Sequence, residues 1–391
     1  MDIVIRMWGI FMEVYKFVMP EVIFGSGSIK QVGESCIRLG AQKILIVTDP
    51  GVVESGWLEL VVKSCHEVGL SYSIFSDLTT NPKDFEVKKG LTQYLNAECD
   101  AILGVGGGSA IDVAKAIAIL ATNGGDICDY EGVDKISMPL PPLVMVATTA
   151  GSGSEVSQFS IILDSEHNKK LTIISKSLVP DIAIIDPETL RTKSALLTAT
   201  TGLDVLTHGI ESYLSIAATP LTDVHAENAI LLVAKYLRQS VASKLNEEAK
   251  KNMAMASLQS GLAFSNAILG AVHGMSHAIG GKFLLPHGDV NGILLPHVME
   301  FNYISAPDKF ARIVTLLSGE EKRWSDSGQD AVELVKQLAH DIGAPKRLSE
   351  LGLTKQDAKK ISADAIEDAC MITNPRDITE QDIERLFIQA L

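Results

Sequence analysis

The stretch DAILGVGGGSAIDVAKAIAIL, residues 100–120, decides how this chain folds. An apolar run ends among glycines at 104, 106, 107 and 108 and gives way near Ser109 to small and apolar residues at helical spacing. That order predicts a buried strand, a tight turn and a helix. Bare backbone lets a ligand come close. The free N–H groups and dipole of a helix start favour an anion, and a pyrophosphate is the natural guest. Glycine-rich turns also serve packing alone, so the loop needs company before it specifies a nucleotide.

Upstream, short β-rich runs alternate with helical periodicity: KILIVTD (43–49), WLELVVKSCHEVG (57–69), SYSIFSD (71–77) and FEVKKGLTQYLNAE (85–98). The rhythm predicts a parallel sheet with helices on both faces. VYKFVMPEVIFG (14–25) reads as a further strand. KILIVTD ends in Asp49, a carboxylate suited to accept from adenosine ribose hydroxyls and to repel a 2′-phosphate, which favours NAD over NADP. A standard dinucleotide fingerprint puts the glycines first and the acid about 20 residues later. Here the acid comes first, so either the sheet is wound differently or Asp49 is only a turn residue. Downstream, PLVMVATTAGSGSEVS (142–157) runs from a strand into Thr148, Thr149, Ser152 and Ser154, a second cradle or an ordinary Ser/Gly loop. Lys170, in HNKKLTII, can pair with ribose hydroxyls or phosphate, or be solvated.

After Asp186 and Pro187 the β pattern fades, and from 195 onward the runs are long and helical, as in LTDVHAENAILLVAKYLRQSVAS (221–243) and NEEAKKNMAMASLQSGLAFSNAI (246–268). The expected architecture is an α/β nucleotide-binding domain over 1–190 and an all-helical domain over 191–391, with the ligand in the cleft between them. A length of 391 residues, 46% hydrophobic and 21% charged, suits two cores and excludes disorder. A net charge of −14 without a basic cluster argues against nucleic acid. Five scattered cysteines without a CxxC fit a reducing cytoplasm. Charges at Asp2, Arg6, Glu13 and Lys16 interrupt the apolar N-terminus, so it reads as an extension before Met12 rather than a signal peptide. No stretch has the apolar length of a membrane span.

The helical half holds the histidines with company. TGLDVLTHGIESY puts Asp204 and His208 at i and i+4, and GAVHGMSHAIGGKFLLPHG (270–288) adds His273, His277 and His287. One carboxylate and four imidazoles suit Fe²⁺ or Zn²⁺, which would polarise an alcohol oxygen. Spacing does not say which of the five are ligands. The His273–His277 pair lacks the Glu that a zinc hydrolase needs between its histidines. His66, His167, His225, His297 and His340 read as structural or surface residues.

These motifs, with FGSGSIKQVG, PDIAIIDPE and LLPHVMEFN, resemble the iron-containing (group III) alcohol dehydrogenases over nearly the whole chain. The resemblance implies a Rossmann-like but differently ordered α/β domain and a helical metal-binding domain, a dehydroquinate synthase-like architecture. It implies metal ligation by Asp204, His208, His273 and His287. His277 would lie beside the nicotinamide and substrate, where it moves a proton or positions the cofactor. Dinucleotide contacts fall on Asp49, Asn81, Gly107, Gly108, Ser109, Thr148, Thr149 and Lys170. The implied reaction is hydride transfer between NAD and a small alcohol or aldehyde in a homodimer or larger homo-oligomer. A glycerol dehydrogenase-like polyol oxidoreductase and a catalytically silent nucleotide- or metal-binding homologue are the alternatives. His208 and the intact GSGSE loop favour the alcohol dehydrogenase branch.

Overall fold

In the computed structural model, residues 15–320 and 327–391 are described, preceded by the backbone of two short antiparallel strands, Ile5–Met7 and Ile10–Met12. Beyond those two strands, the N-terminal extension lies outside the described residues. The run 100–120 forms the strand Ala101–Gly106 and the helix Gly108–Asn123, which starts one residue before the expected Ser109. The strand is fourth in a six-stranded sheet ordered Glu21–Phe24, Ile182–Ile185, Leu143–Ala147, Ala101–Gly106, Lys43–Thr48, Ser71–Phe75, and every neighbouring pair is parallel. Side chains alternate across it. Ile44, Ile46, Leu103, Val105, Val144 and Val146 pack against the helices Val32–Arg38 and Trp57–Glu67, while Leu45, Val47, Ile102 and Met145 pack against Gly108–Asn123. Sequestering both faces explains why these strands read as continuous apolar runs.

The strand order resolves the placement of Asp49. The chain leaves Lys43–Thr48 for Ser71–Phe75 on one side and returns to Ala101–Gly106 on the other. A crevice opens where a parallel sheet reverses direction, at the carboxyl ends of its strands. Those ends carry Asp49 and the glycine loop, so the acid precedes the glycines because of the winding.

One strand expectation needs correction. Only Glu21–Phe24 of the 14–25 run is a strand, since residues 15–20 instead pair with the helical half: Val18 N–H donates to Asn266 Oδ1 (2.8 Å) and Asn266 Nδ2 donates to Val18 O (3.0 Å). Lys169–Ile174 is not in the main sheet but forms a second one with Phe159–Asp164 and Gly132–Val133.

Beyond Ile185 the described chain is helical, and its three longest helices, Ala195–Leu214, Pro220–Ala242 and Glu247–Ala267, pack on one another. Among the described residues no single helix is long and apolar enough to cross a membrane. The two halves meet closely at Gly153 (φ +60), whose added Cβ would stand 2.6 Å from Gly261 Cα. That contact carries the Ser/Gly loop onto the helix Glu247–Ala267. The helix is followed by Ile268, whose positive φ with an extended ψ (61 and −166) is a sparsely populated conformation that costs about 1–3 kcal/mol. The chain then turns sharply into Ala271–Lys282, the helix of His273 and His277.

Candidate metal and dinucleotide site

Three helices carry the candidate ligands, of which Asp204, His208 and His273 have ligand atoms within 4.8 Å of one another, with His287 beside them. Ala195–Leu214, capped by Ser194 Oγ accepting from Leu197 N–H (3.1 Å), carries Asp204 and His208 on one face. Ala271–Lys282 carries His273, and His287 opens the helix His287–Asn302. Asp204 Oδ1 lies 3.8 Å from His208 Nε2 and 3.7 Å from His273 Nε2. Ligand atoms around one tetrahedral ion lie roughly 3.4 Å apart.

The amide of Asn291 stands where the lone pairs meet. Its Nδ2 donates to Asp204 Oδ1 (2.7 Å) and lies 3.1 Å from His273 Nε2 and 3.2 Å from His287 Nε2. Asn291 Oδ1 is buried without a hydrogen-bond partner. One carboxylate oxygen and imidazole nitrogens gathered this closely are a donor set that fits a divalent cation.

Two of the imidazoles are turned inward by partners behind them. His273 Nδ1 meets Glu211 Oε2 at 2.5 Å, and Glu211 Oε1 also accepts from Val272 N–H (2.7 Å). His287 Nδ1 meets Ser276 Oγ at 2.9 Å. Partners of this kind leave Nε2 free for an ion. Burial alone would raise Asp204, but His208, His273 and His287 hold its carboxyl well below the usual carboxylate range. Burial pushes His208 down to about 4 against the pull of Asp204. For His287, burial and then the Lys170 ammonium push it well below the ordinary value. Burial would lower His273 too, but hydrogen bonds to Asp204 and Glu211 raise it to about 9.

His277 is not joined to the other four in this way. It is stacked on His287 (ring centroids 5.6 Å apart), and its Nδ1 turns away to Asp368 Oδ2 at 2.9 Å. Phe264 stacks on His208 (4.5 Å) and contacts Phe159 edge-on (5.7 Å), giving the centre an apolar wall that includes Leu269.

The dinucleotide candidates lie in three places. Asp49 caps the short helix Pro50–Glu54 through Oδ1, which accepts from Val52 N–H (3.1 Å), and an added Cβ on Gly106 would lie 2.8 Å from its Oδ2. The glycine loop faces the second loop: Thr148 N–H donates to Gly106 O (2.9 Å), a Cβ on Gly107 would stand 3.3 Å from Thr149, and one on Gly108 3.0 Å from Ser152. Ser109 lies in the first turn of the helix. Asn81 belongs to a different segment, a left-handed turn (φ 54) before the helix Asp84–Asn96. Lys170 is half-buried on the metal side, where an added Cβ on Gly280 would meet its Nζ at 2.9 Å. Burial lowers Lys170, and Asp112, Asp204 and Asp368 counter that effect.

Sequence reasoning missed the supporting residues Glu211, Ser276, Asn291 and Asp368. It also missed Lys115, a fully buried lysine that ties the glycine-loop helix to the second loop by donating to the carbonyls of Ser154 (2.7 Å), Ser157 (2.6 Å) and Phe159 (2.9 Å). A lysine inside AIDVAKAIAIL was a readable anomaly; Glu211 was readable only as one turn beyond His208. The histidines set aside do have other work: His66 meets Tyr72 OH (3.1 Å), His167 meets Asp164 (2.7 Å) and His225 meets Gln259 (2.6 Å). All five cysteines are free; four are buried and Cys128 is half-buried.

A cation-seeking donor set facing a nucleotide-type crevice defines the class of metal-dependent oxidoreductases that work with a dinucleotide. Residues 20–187 match the family model of iron-containing alcohol dehydrogenases, and residues 198–391 match that of the C-terminal part of the Fe-containing alcohol dehydrogenase family. The chain is 41% identical to the 1,3-propanediol dehydrogenase of Klebsiella pneumoniae, covering 97% of this chain and 99% of the relative. It is 39% identical to the NAD-dependent methanol dehydrogenase of Bacillus methanolicus, covering 96% and 99%. The fold matches the crystal structure of a 1,3-propanediol oxidoreductase with a TM-score of 0.94 at 40% identity, covering 97% of this chain and 100% of that one. The chain belongs to the iron-containing alcohol dehydrogenase family.

Proposed function

We propose that this protein oxidises a small primary alcohol, or in reverse reduces the aldehyde, by exchanging hydride with NAD in the cleft between a nucleotide-binding domain (1–190) and a metal-binding domain (191–391). Its family makes it a metal-dependent alcohol dehydrogenase. Asp204, His208, His273 and His287 hold the divalent ion, Fe²⁺ or Zn²⁺. Asp49, Asn81, Gly107, Gly108, Ser109, Thr148, Thr149 and Lys170 receive the dinucleotide. The observation that carries the reading is the crowding of Asp204, His273 and His287 around the single amide nitrogen of Asn291.

When bound, the ion lowers the pKa of an alcohol oxygen and NAD accepts the hydride. The chain supplies the rest. Glu211 and Ser276 hold two imidazoles with Nε2 inward, and the wall of Phe264, Phe159 and Leu269 favours a short apolar chain and excludes water from the reacting carbon. His277, beside the cluster but engaged elsewhere through Nδ1, exchanges the proton. The free cysteines agree with a cytoplasmic enzyme. Assembly as a homodimer or larger homo-oligomer is implied by the family resemblance, and light scattering on the purified protein tests it.

The functional test is metal analysis of purified protein combined with NADH absorbance over a panel of alcohols and aldehydes that includes 1,3-propanediol and methanol, with and without chelator. Metal-dependent turnover is expected. A protein that binds NAD and metal but turns over none of the panel is a silent homologue. For His277→Ala the expected outcome is full metal content with lost turnover; loss of metal would overturn the assignment of His277.

A further inference from the structure

We propose that Asp368 is the positioning residue of His277: its carboxylate fixes the ring and its tautomer so that Nε2, not Nδ1, faces the reacting groups. This rests on the proton-exchange role of His277 and deepens it.

The geometry begins with the contact itself. His277 Nδ1 lies 2.9 Å from Asp368 Oδ2, and both side chains are about nine-tenths buried. The other carboxylate oxygen is committed to its own backbone, since Asp368 caps the short helical turn Ala369–Thr373 by accepting from Cys370 N–H at Oδ1 (2.8 Å). The carboxylate therefore cannot rotate without losing one of two bonds. A carboxylate that accepts through Oδ2 requires the proton on Nδ1, and a neutral imidazole then carries its lone pair on Nε2.

The turn that holds Asp368 is itself clamped beside the histidine helix. Thr373 Oγ1 donates to Leu269 O (2.6 Å), Asn374 Oδ1 accepts from Ala271 N–H (3.2 Å), and Asn374 and Asn302 exchange two amide bonds (both 2.9 Å). Met371 lies so close to the helix Ala271–Lys282 that a Cβ on Gly274 would stand 2.6 Å from its methyl carbon. Ninety-one residues separate Asp368 from His277, yet the distance between them is set by packing. Ionisation agrees with the geometry. Burial alone would raise Asp368, but His277 and the bonds from His277 and Cys370 bring it down to about 2.

Other charged and titratable groups face this pair: Lys170 from the strand Lys169–Ile174, Asp204 and His208 from Ala195–Leu214, His273 on the same helix, His287 stacked on the ring, and Cys370. None but Asp368 is hydrogen-bonded to His277 among the described residues.

The test uses the metal-loaded enzyme and the variants D368N, D368E, H277A and H277A/D368N. In D368N, kcat should fall about 10- to 100-fold, the range for partners that orient a functional imidazole, while metal content and NADH affinity stay within about 2-fold. KM for the alcohol should hold within about 2-fold, so that the loss falls on kcat, as expected of a group that acts on the proton step rather than on binding. D368E keeps a carboxylate opposite Nδ1 and should recover part of the kcat that D368N loses. The double variant should be no slower than H277A. Wild-type kcat in D368N would overturn the proposal, as would a loss that D368E does not relieve at all or a double variant slower than H277A by the full D368N factor. Metal loss in D368N would also overturn it by making Asp368 part of the metal centre. Full activity in H277A would instead sink the proton role of His277, a separate failure visible without any Asp368 variant.

Discussion

On the helical wall, the candidate site resides in side chains: a carboxylate lies among three imidazoles, with Glu211 and Ser276 behind two of them. On the α/β wall it resides in their absence. Gly106, Gly107 and Gly108 leave no room for a Cβ larger than the contacts with Ala110, Thr149 and Ser152 allow. A metal needs electron pairs at fixed points, and long side chains deliver them when helices cross. A pyrophosphate needs backbone N–H groups and proximity, which any side chain would obstruct. The two walls should therefore fail under opposite changes.

Removing Asp204 is the strongest test. Asp204→Ala takes the negative charge out of the cluster and leaves imidazoles with nothing to counter a cation. Metal content should drop to near background and kcat/KM by more than the roughly 100-fold that outer-sphere changes cost. Mass-spectrometric metal analysis and fluorescence titration with NADH check both halves of the claim, since NADH affinity should hold within about 2-fold. Retained metal would remove Asp204 from the ligand set. Next in size is Glu211→Gln, which keeps the shape but weakens the hold on His273 Nδ1. Metal affinity should fall about 10- to 100-fold in competition with a chelator; an unchanged affinity would make Glu211 a mere helix contact. Adding bulk to the other wall comes third. In Gly107→Val the side chain meets Thr149, and KM for NAD should rise about 10-fold, equivalent to roughly 1.4 kcal/mol, with metal content untouched. If metal were lost as well, the two walls would not be independent.

This difference also explains what could be read in the sequence. Strands buried on both faces, such as KILIV and AILGV, declare themselves as apolar runs, and the glycines of the α/β wall are adjacent in the chain because one turn holds them. The candidate residues of the helical wall form short helical patterns, visible as Asp204 with His208 and His273 with His277. The shared spacing of His273 and His277 conceals partners of different kinds, Glu211 for one and Asp368 for the other. Asp368, Asn291 and Ser276 have no local pattern at all, because only packing brings them to the site. Lys170 lies against Gly280 and beside the metal side's carboxylates, placed there by a second sheet that the alternation of strands and helices does not announce.

The smallest expected effect asks whether the α/β wall hides a charge beneath its neutral surface. Glu155, in the GSGSE loop, is 2% exposed, and burial pushes its carboxyl up to about 7, with Lys115 opposing. A group whose pKa is higher in the folded than in the unfolded chain binds its proton more tightly when folded. Stability must then fall as pH rises from the ordinary value of 4.5 to about 7 and level off above it. Glu155→Gln presents the neutral form permanently and removes that slope. The difference in Tm between E155Q and wild type should be near zero at the acid end and grow to a few degrees, on the order of what a kcal/mol or two produces, at neutral pH. Metal content should not change. If the difference is flat with pH, Glu155 stays ionised and Lys115 is its counter-ion. The wall of absent side chains would then rest on a buried ion pair, a foundation much closer in kind to the charged cluster across the cleft.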